Sequence, residues 1–455
     1  MKSLLHHLWS RLFASATPQA RPSERPELRR AADSATTANP VAKAPARVAL
    51  QSLGARRPLI SSDGHIVGFE FHVAEHTSRR LAHREDHHAQ AAHASAVLAS
   101  ARLIGQTGKI GFARVPATWL LLGADAQAGP GMMVGLEQDD EADQTPDVLH
   151  ATEQTVRRLR DAGAKVGWAA PGQIDAVPDF LMLHQRSMPM AELLQSLQRL
   201  PKTWAAVPVL VTDIANLEDL ELALQHGVRW GCGAPTSRSA TQDSDKNLPV
   251  SPEVRRIGHL LHQLVTGAET TDIVAEVKGD VGLSYRLLRR INSASFAQLG
   301  PGTTIEQAAM ILGRNELYRW FSMLLIQFAG QRKTSSALQE IALWRSRLME
   351  LLAQEHNDTA AGQMFTLGLA SMLGLMLGTS AAEIISALNL PEPARQALLE
   401  QTGPWYGYLK TATELEHPSQ IEPGPGLELP GGRARLLELS DQAWTWAADN
   451  SHRDA

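Results

Sequence analysis

The sequence predicts two folded units of different class, an α/β barrel over residues 51–237 and an all-α domain over residues 250–445. Three observations carry this. The chain has 455 residues, more than one ordinary hydrophobic core serves. From Arg56 to about residue 235, short apolar runs of strand length alternate with helical segments, the pattern of a mainly parallel sheet. After Val250 the strand pattern stops and only helical periodicity remains.

The elements follow in order. The first residues, MKSLLHHLWSRLFASA, place Leu4, Leu5, Leu8, Leu12 and Phe13 on one stripe. Residues 1–14 thus read as a short amphipathic helix able to dock on a membrane surface or a partner, or as a frayed terminus. His6, His7 and Arg11 interrupt the apolar centre that a secretory signal needs. The Ala/Pro/Arg/Ser/Thr-rich stretch that follows has no period, so residues 1–50 are expected to be disordered apart from that helix. RRPLISSDGHIVGFEFHV then reads as a strand, a Ser62-Asp63-Gly64 turn and a second strand. Further strands are expected at Lys109–Val115, Met132–Glu137, Ala164–Trp168, Phe180–His184, Val207–Val211 and Val228–Cys232. Helices are expected at His87–Leu103, Pro146–Asp161, Met190–Leu200 and Leu217–His226. About eight strands in this alternation suggest closure into a barrel, and the segment is short for one, so some outer helices must be small or missing.

Residues 238–249 are polar and read as a linker. Ser251-Pro252-Glu253 supplies a cap, a first-turn proline and a first-turn acid for a helix over Pro252–Val265. A short helix spans Asp272–Lys278. GDVGLSYRLLRRINSASF makes another, with Asp280 as its cap, Leu283, Leu287, Leu288 and Ile291 on one stripe, and a polar Asn292-Ser293 stop. Thr304 and Gln307 form a capping box for Ile305–Leu312, which Gly313 ends. Helices follow at Glu316–Phe328, Ser335–Glu355, Gly362–Gly378, Ala381–Leu388, Glu392–Glu400, Trp405–Glu416 and Arg433–Ala448, and residues 446–455 are expected to be a disordered tail.

The bulk chemistry excludes several classes. The net charge of -5 argues against a general nucleic-acid binder. One cysteine, Cys232, permits neither a disulfide framework nor a cysteine-based zinc site within the chain, which fits a cytoplasmic location. No apolar run is long enough to span a bilayer. His83 and His87 have the spacing of a zinc pair, but the segment is Ala-rich and charged and reads as a solvated helix start. His259 and His262 have no evident third ligand. The acidic run after Glu137 lacks the spacing of a calcium loop.

LPVSPEV, KGDVGLSYRLLRRINSASF and TTIEQAAMILGRNELYRW together resemble the HDOD domain family. Asp280, Leu283, Arg286, Leu287, Leu288, Asn292, Ser293, Phe296, Ile305, Ala308, Leu312 and Gly313 match its pattern, while Val281 stands where a proline is usual. More weakly, the region before residue 235 is similar to the EAL domain of cyclic di-GMP phosphodiesterases, through RRPLISSDGHIVGFEF and VTDIANLEDLELALQHGVRWGCGAP. The resemblance implies a degenerate EAL-like (β/α) barrel followed by an all-helical HDOD domain, an arrangement used in bacterial signalling.

It also implies a site that can be checked. Active EAL domains hold two divalent metals in a ring of carboxylates, so losing several ligands should abolish hydrolysis. Glu70 matches the signature glutamate and Glu137 a second one. Ala113 or Arg114 stands at the asparagine, Ala169-Ala170 at the Asp-Asp pair, Met182 at the lysine and His184 at the next aspartate. Thr212 and Ala215 stand at later glutamates, and Trp230 near the closing glutamine. The HDOD half is similar to HD phosphohydrolases, but Arg345 or Ser346 replaces one histidine and Ser371-Met372 the His-Asp pair. No catalytic residue, metal or cofactor is therefore expected. The expected function is a non-catalytic signal-transduction module or scaffold that meets other signalling proteins. Arg286, Arg289, Asn292, Ser293 and Trp320 are the candidate partner-binding residues, and Glu70 and Glu137 are vestigial. Two alternatives are a non-hydrolysing cyclic di-GMP receptor using Arg114, Trp119 and Trp168, and a residual phosphodiesterase.

Overall fold

The structure is a computed structural model and describes residues 56–73, 80–81, 86–137, 145–169, 176–185, 188–197, 202–236, 250–291, 304–327, 332–416 and 427–451. The expected N-terminal helix, the linker at 238–249, His83, Asn292 and Ser293 lie outside these residues.

Eight strands close into a barrel in sequence order. They are β1 (Arg57–Ser61), β2 (Ile66–His72), β3 (Ile110–Pro116), β4 (Met132–Glu137), β5 (Lys165–Trp168), β6 (Phe180–His184), β7 (Val209–Ile214) and β8 (Trp230–Gly233). The outer helices are α1 (His87–Gly105), α2 (Pro146–Asp161), α3 (Met190–Leu197) and α4 (Leu217–Gln225). β1 runs antiparallel to both its neighbours, β2 and β8, and the other pairs are parallel. The Ser62-Asp63-Gly64 turn explains this, because only an antiparallel pair can be joined by so short a connection. Gly64 sits there at φ 79°.

Alternation places two layers inside the barrel. Leu59, Phe112, Met133, Phe180, Met182, Leu210 and Cys232 pack into one apolar plug. Gly135 and Gly167 make room for it: a Cβ on Gly135 would meet Met182 Sδ at 2.5 Å, and one on Gly167 the Phe180 ring at 2.5 Å. One residue pair further toward the C-terminal ends of the parallel strands, the inward positions become polar.

The missing barrel helices have a structural consequence. β1 and β2 form a hairpin with no helix between them, and β3 and β4 are joined by two short 3-10 turns, Ala117–Leu120 and Ala124–Gln127. The hairpin therefore lacks a helix of its own, and the helical half packs against it at Phe69 of β2. That half comprises α5 (Pro252–Thr266), α6 (Thr270–Lys278), α7 (Val281–Ile291), α8 (Ile305–Gln327), α9 (Ser335–Glu355), α10 (Ala361–Leu377), α11 (Ala381–Leu388), α12 (Glu392–Arg395), α13 (Tyr406–Leu415) and α14 (Gly432–Ser451). Phe69 of β2 meets the edge of Trp444 on α14 at 4.9 Å, and Trp444 stacks on Trp344 of α9 at 4.8 Å. Arg56 pairs with Asp441 at 3.0 Å, and Lys109 with Glu340 at 3.1 Å. Glu221 of α4 accepts from Arg332 at 3.2 Å and from Thr334 at 2.8 Å. The turn itself is part of this contact: Ala337 N donates to Gly64 O at 3.0 Å. A Cβ on Gly64 would lie 1.7 Å from Lys333 O, so only glycine fits.

The caps read from the sequence are present. Val254 N donates to Ser251 Oγ at 3.4 Å, Leu283 N to Asp280 Oδ1 at 3.0 Å, and Thr304 and Gln307 bond reciprocally at 2.9 and 3.3 Å. Gly313, at φ 70° and ψ 169°, breaks α8 where the sequence places a stop. Two expectations need correction. Residues 446–451 are not a loose tail but the last turns of α14, because Ala447 is buried there. The segment Glu392–Glu400 is not one regular helix: it is α12 followed by a π-helical turn, Gln396–Glu400. No helix among the described residues is long and apolar enough to cross a membrane.

Candidate functional site

The polar layer at the barrel mouth is built from six strands, β1 to β4, β6 and β7. Glu70 stands opposite Phe112 in the register, and Arg57 opposite Glu70, so both point inward. Arg114 lies two residues beyond Phe112 on the same face, so of Ala113 and Arg114 it is Arg114 that points inward. His184 pairs with Thr212 across β6 and β7. A register irregularity between Val211 and Ile214 adds Asp213 to the same cluster, at φ 56°. Asp tolerates this left-handed conformation better than most residues.

Two guanidinium groups fill the centre. Arg57 Nη2 lies 2.6 Å from Glu70 Oε2 and 3.2 Å from Asp213 Oδ1. Arg114 Nη1 donates to Asp213 Oδ2 at 2.6 Å and to Thr212 Oγ1 at 3.1 Å, and its Nε lies 3.4 Å from both Glu70 Oε1 and Glu137 Oε1. The two histidines close the ring. His72 Nδ1 is 3.4 Å from Arg57 Nη2, and His184 Nδ1 is 2.6 Å from Thr212 Oγ1 and 3.6 Å from Asp213 Oδ2. Glu70 is fully buried, while Glu137 and Asp213 keep 30% and 26% side-chain exposure and form the open side.

The electrostatics follow from burial opposed by charge. Burial alone would push the Glu70 carboxyl up, but Arg57 and Arg114 outweigh it and hold it below its ordinary range. Asp213 is likewise held down against burial, by the contacts with His184, Arg114 and Arg57. Arg114 is raised, because Glu70 and Asp213 outweigh its burial. His72 is pushed down to about 3 by burial and then by the Arg57 charge, so the imidazole is neutral. The Cys232 thiol below is pushed up by burial.

Each oxygen of Glu70 faces a guanidinium, and Asp213 faces both. Among the described residues no group of three or more His, Cys, Asp or Glu side chains is arranged to hold a metal ion. Met182 is in the apolar plug, so no cationic side chain stands at that position.

A second arginine site lies in the helical half. Arg345 Nη1 donates to Ser371 Oγ at 2.9 Å, which brings together the two positions that the sequence set against a histidine and a His-Asp pair. Glu416 completes it, accepting from Arg345 Nε at 2.9 Å and from Nη2 at 2.6 Å. Thr236, just after the barrel, donates to the other oxygen of Glu416.

The structure places one of the candidate partner-binding residues in the core. Trp320 is 2% exposed and lies against Phe321 at 4.9 Å, so it belongs to the core, as its place among the apolar residues of α8 dictates. Arg286 is half-buried and donates to Gln327 Oε1 at 3.3 Å. Arg289 lies on α7, and Asn292 and Ser293 fall outside the described residues. Of the residues expected to receive a nucleotide, Trp119 and Trp168 are buried and Arg114 is committed to the cluster. Sequence reasoning missed Arg57 and Asp213. An arginine opening the first strand was the signal for Arg57, whereas Asp213 is hidden by the irregularity in β7.

The family model of the HDOD domain matches residues 248–397. The chain is similar to the uncharacterized protein YuxH of Bacillus subtilis, 30% identical over 31% of this chain and 35% of that protein. It is also similar to the cyclic di-GMP phosphodiesterase CdgJ of Vibrio cholerae, 30% identical over 31% of this chain and 32% of that one. The chain thus spans about a third of the length of the curated relatives it matches. Among solved structures, the EAL domain of Mycobacterium smegmatis DcpA is similar at 14% identity and a TM-score of 0.29, over 39% of this chain and 88% of that one. The segment that matches the HDOD model thus lies behind a closed eight-strand barrel.

Proposed function

We propose that this protein is a non-catalytic signal-transduction module, a scaffold that engages other signalling proteins and whose barrel has given up metal-dependent phosphodiester hydrolysis. The HDOD domain and a relative named as a cyclic di-GMP phosphodiesterase support a signalling role. One observation carries the non-catalytic part: Glu70, the acid of the EAL-like signature, is neutralised on both oxygens by Arg57 and Arg114. The two guanidiniums beside this carboxylate disfavour entry of a further cation. Arg286 and Arg289 on α7, with Asn292 and Ser293 after it, remain the candidate contacts for a partner.

The test uses the full chain with cyclic di-GMP and either magnesium or manganese. No turnover is expected. Turnover that Glu70→Gln abolishes would overturn the reading. Calorimetry with the same nucleotide checks the receptor alternative: heat of binding at micromolar nucleotide would replace the scaffold reading by a receptor. For the partner surface, Arg286→Ala with Arg289→Ala should reduce recovery of protein partners on the immobilised full chain, relative to the wild type.

A further inference from the structure

The helical half contains a hollow of about 440 Å³ between α5, α8, α10 and α11, with Trp405 at its edge. Its size is within the range that holds a small organic ligand. Leu261, Leu367, Leu388, Leu390 and Trp405 supply apolar wall, and no Lys, Arg, Asp or Glu lines it. Three polar features stand out against that wall. His262 and Asn389 meet at the rim, with Asn389 Nδ2 2.9 Å from His262 Nε2. Asn389 holds this position as the left-handed C-cap of α11, at φ 48°. Thr366, which also lines the hollow, is buried, and its hydroxyl has no hydrogen-bond partner. A helical threonine ordinarily satisfies its hydroxyl on the preceding turn, and an unpaired buried hydroxyl is costly. At the mouth, Val265 is 45% exposed.

We infer that this hollow is a binding site for an uncharged, mainly apolar small molecule that hydrogen-bonds at one or two points, through Thr366 or through the His262–Asn389 rim. The absence of ionised side chains from the wall sets the ligand class. An anionic nucleotide would lose its hydration there without gaining a cation, whereas an apolar ring or short chain would replace water along leucine and tryptophan surface. The site is distinct from the arginine-filled barrel mouth, and it gives the helical domain an input that does not pass through the barrel.

The experiment titrates the full chain with N-phenyl-1-naphthylamine, an uncharged apolar fluorophore. Saturable enhancement at one probe per chain is expected. Val265→Trp, at the exposed rim, should weaken binding at least tenfold while leaving the thermal midpoint unchanged. Gln363→Trp, on the same rim, is the second blocking variant should the first disturb folding. Leu122→Ala, an exposed apolar residue on the barrel, should bind as the wild type does. Absence of saturable binding would overturn the assignment. So would undiminished affinity in a folded blocking variant, or equal loss in Leu122→Ala.

Discussion

Replacing Arg114 by methionine removes the charge at the centre of the barrel mouth while keeping most of the side-chain volume. Its guanidinium contacts Asp213 at 2.6 Å and lies 3.4 Å from both Glu70 and Glu137. In the variant, Glu70 stays buried with only Arg57 to balance it, and Arg57 must also serve Asp213. Breaking a buried pair by deleting one partner costs about 3–5 kcal/mol, because the surviving charge stays out of water. The partial exposure of Asp213 and Glu137 places this case at the lower end. A loss of about 3 kcal/mol is a shift of roughly a hundredfold in the folding equilibrium. Urea titration measures it as a lower midpoint at unchanged slope. The double variant with Glu70→Gln should cost less than the sum of the singles, since neutralising the acid removes the unbalanced charge. A single-variant loss under about 1 kcal/mol, the worth of an exposed ion pair, would refute the description of the mouth as a closed ion network.

The remaining predictions concern pH and the packing between the halves. His72 is held neutral, pushed down to about 3, while an unfolded imidazole titrates near 6.5. Between those values only the unfolded chain takes the proton, so stability is full above about pH 6.5 and falls by about 1.4 kcal/mol per unit as pH drops. Glu70 and Asp213, both held below their ordinary range, add losses of the same sign once pH falls through about 4. Urea midpoints at pH 7.5 and 5 should show the slope, and His72→Gln should flatten it. Trp444→Ala removes the ring between Trp344 and Phe69 and should cost about 3–5 kcal/mol. It should also open the β2 face to limited proteolysis, and a stable, protease-resistant variant would refute the interface. Arg345→Met leaves Glu416 without its three guanidinium hydrogen bonds and should cost about 3–5 kcal/mol, against a smaller loss when Glu416→Leu is added.

Much of this fold is legible because local signals and tertiary packing agree. Met132–Glu137, Phe180–His184, Pro146–Asp161, Ser335–Glu355 and Ala381–Leu388 are found at the boundaries their patterns set. In each, apolar period and end signals point to one answer. The site was only half legible. Alternation fixes which side of a strand a residue occupies, so Arg114 becomes an inward residue once Phe112 is known to be inside. It does not survive a register irregularity, which is why residue counting placed the acids of β7 at Thr212 and Ala215 and passed over Asp213. The covering of β2 by α9 and α14 was not legible either. Trp344 and Trp444 read as ordinary helix-core residues, and nothing in their spacing says that the face beyond them is a strand 375 residues away from Trp444, counted to Phe69.

The two arginine sites make one argument. In the barrel, Arg57 and Arg114 hold the carboxylates of Glu70 and Asp213; in the helical half, Arg345 holds Glu416 and Ser371. In both places an acid is paired with an arginine of the same chain. Such a cation does not exchange with solution and does not change charge at any physiological pH. Glu416 also takes the hydroxyl of Thr236 at the exit of the barrel, which ties the second cluster to the first domain. If a signal enters this protein, it must enter through surfaces and cavities that remain free to change occupant, and the uncharged hollow beside Asn389 is one of that kind.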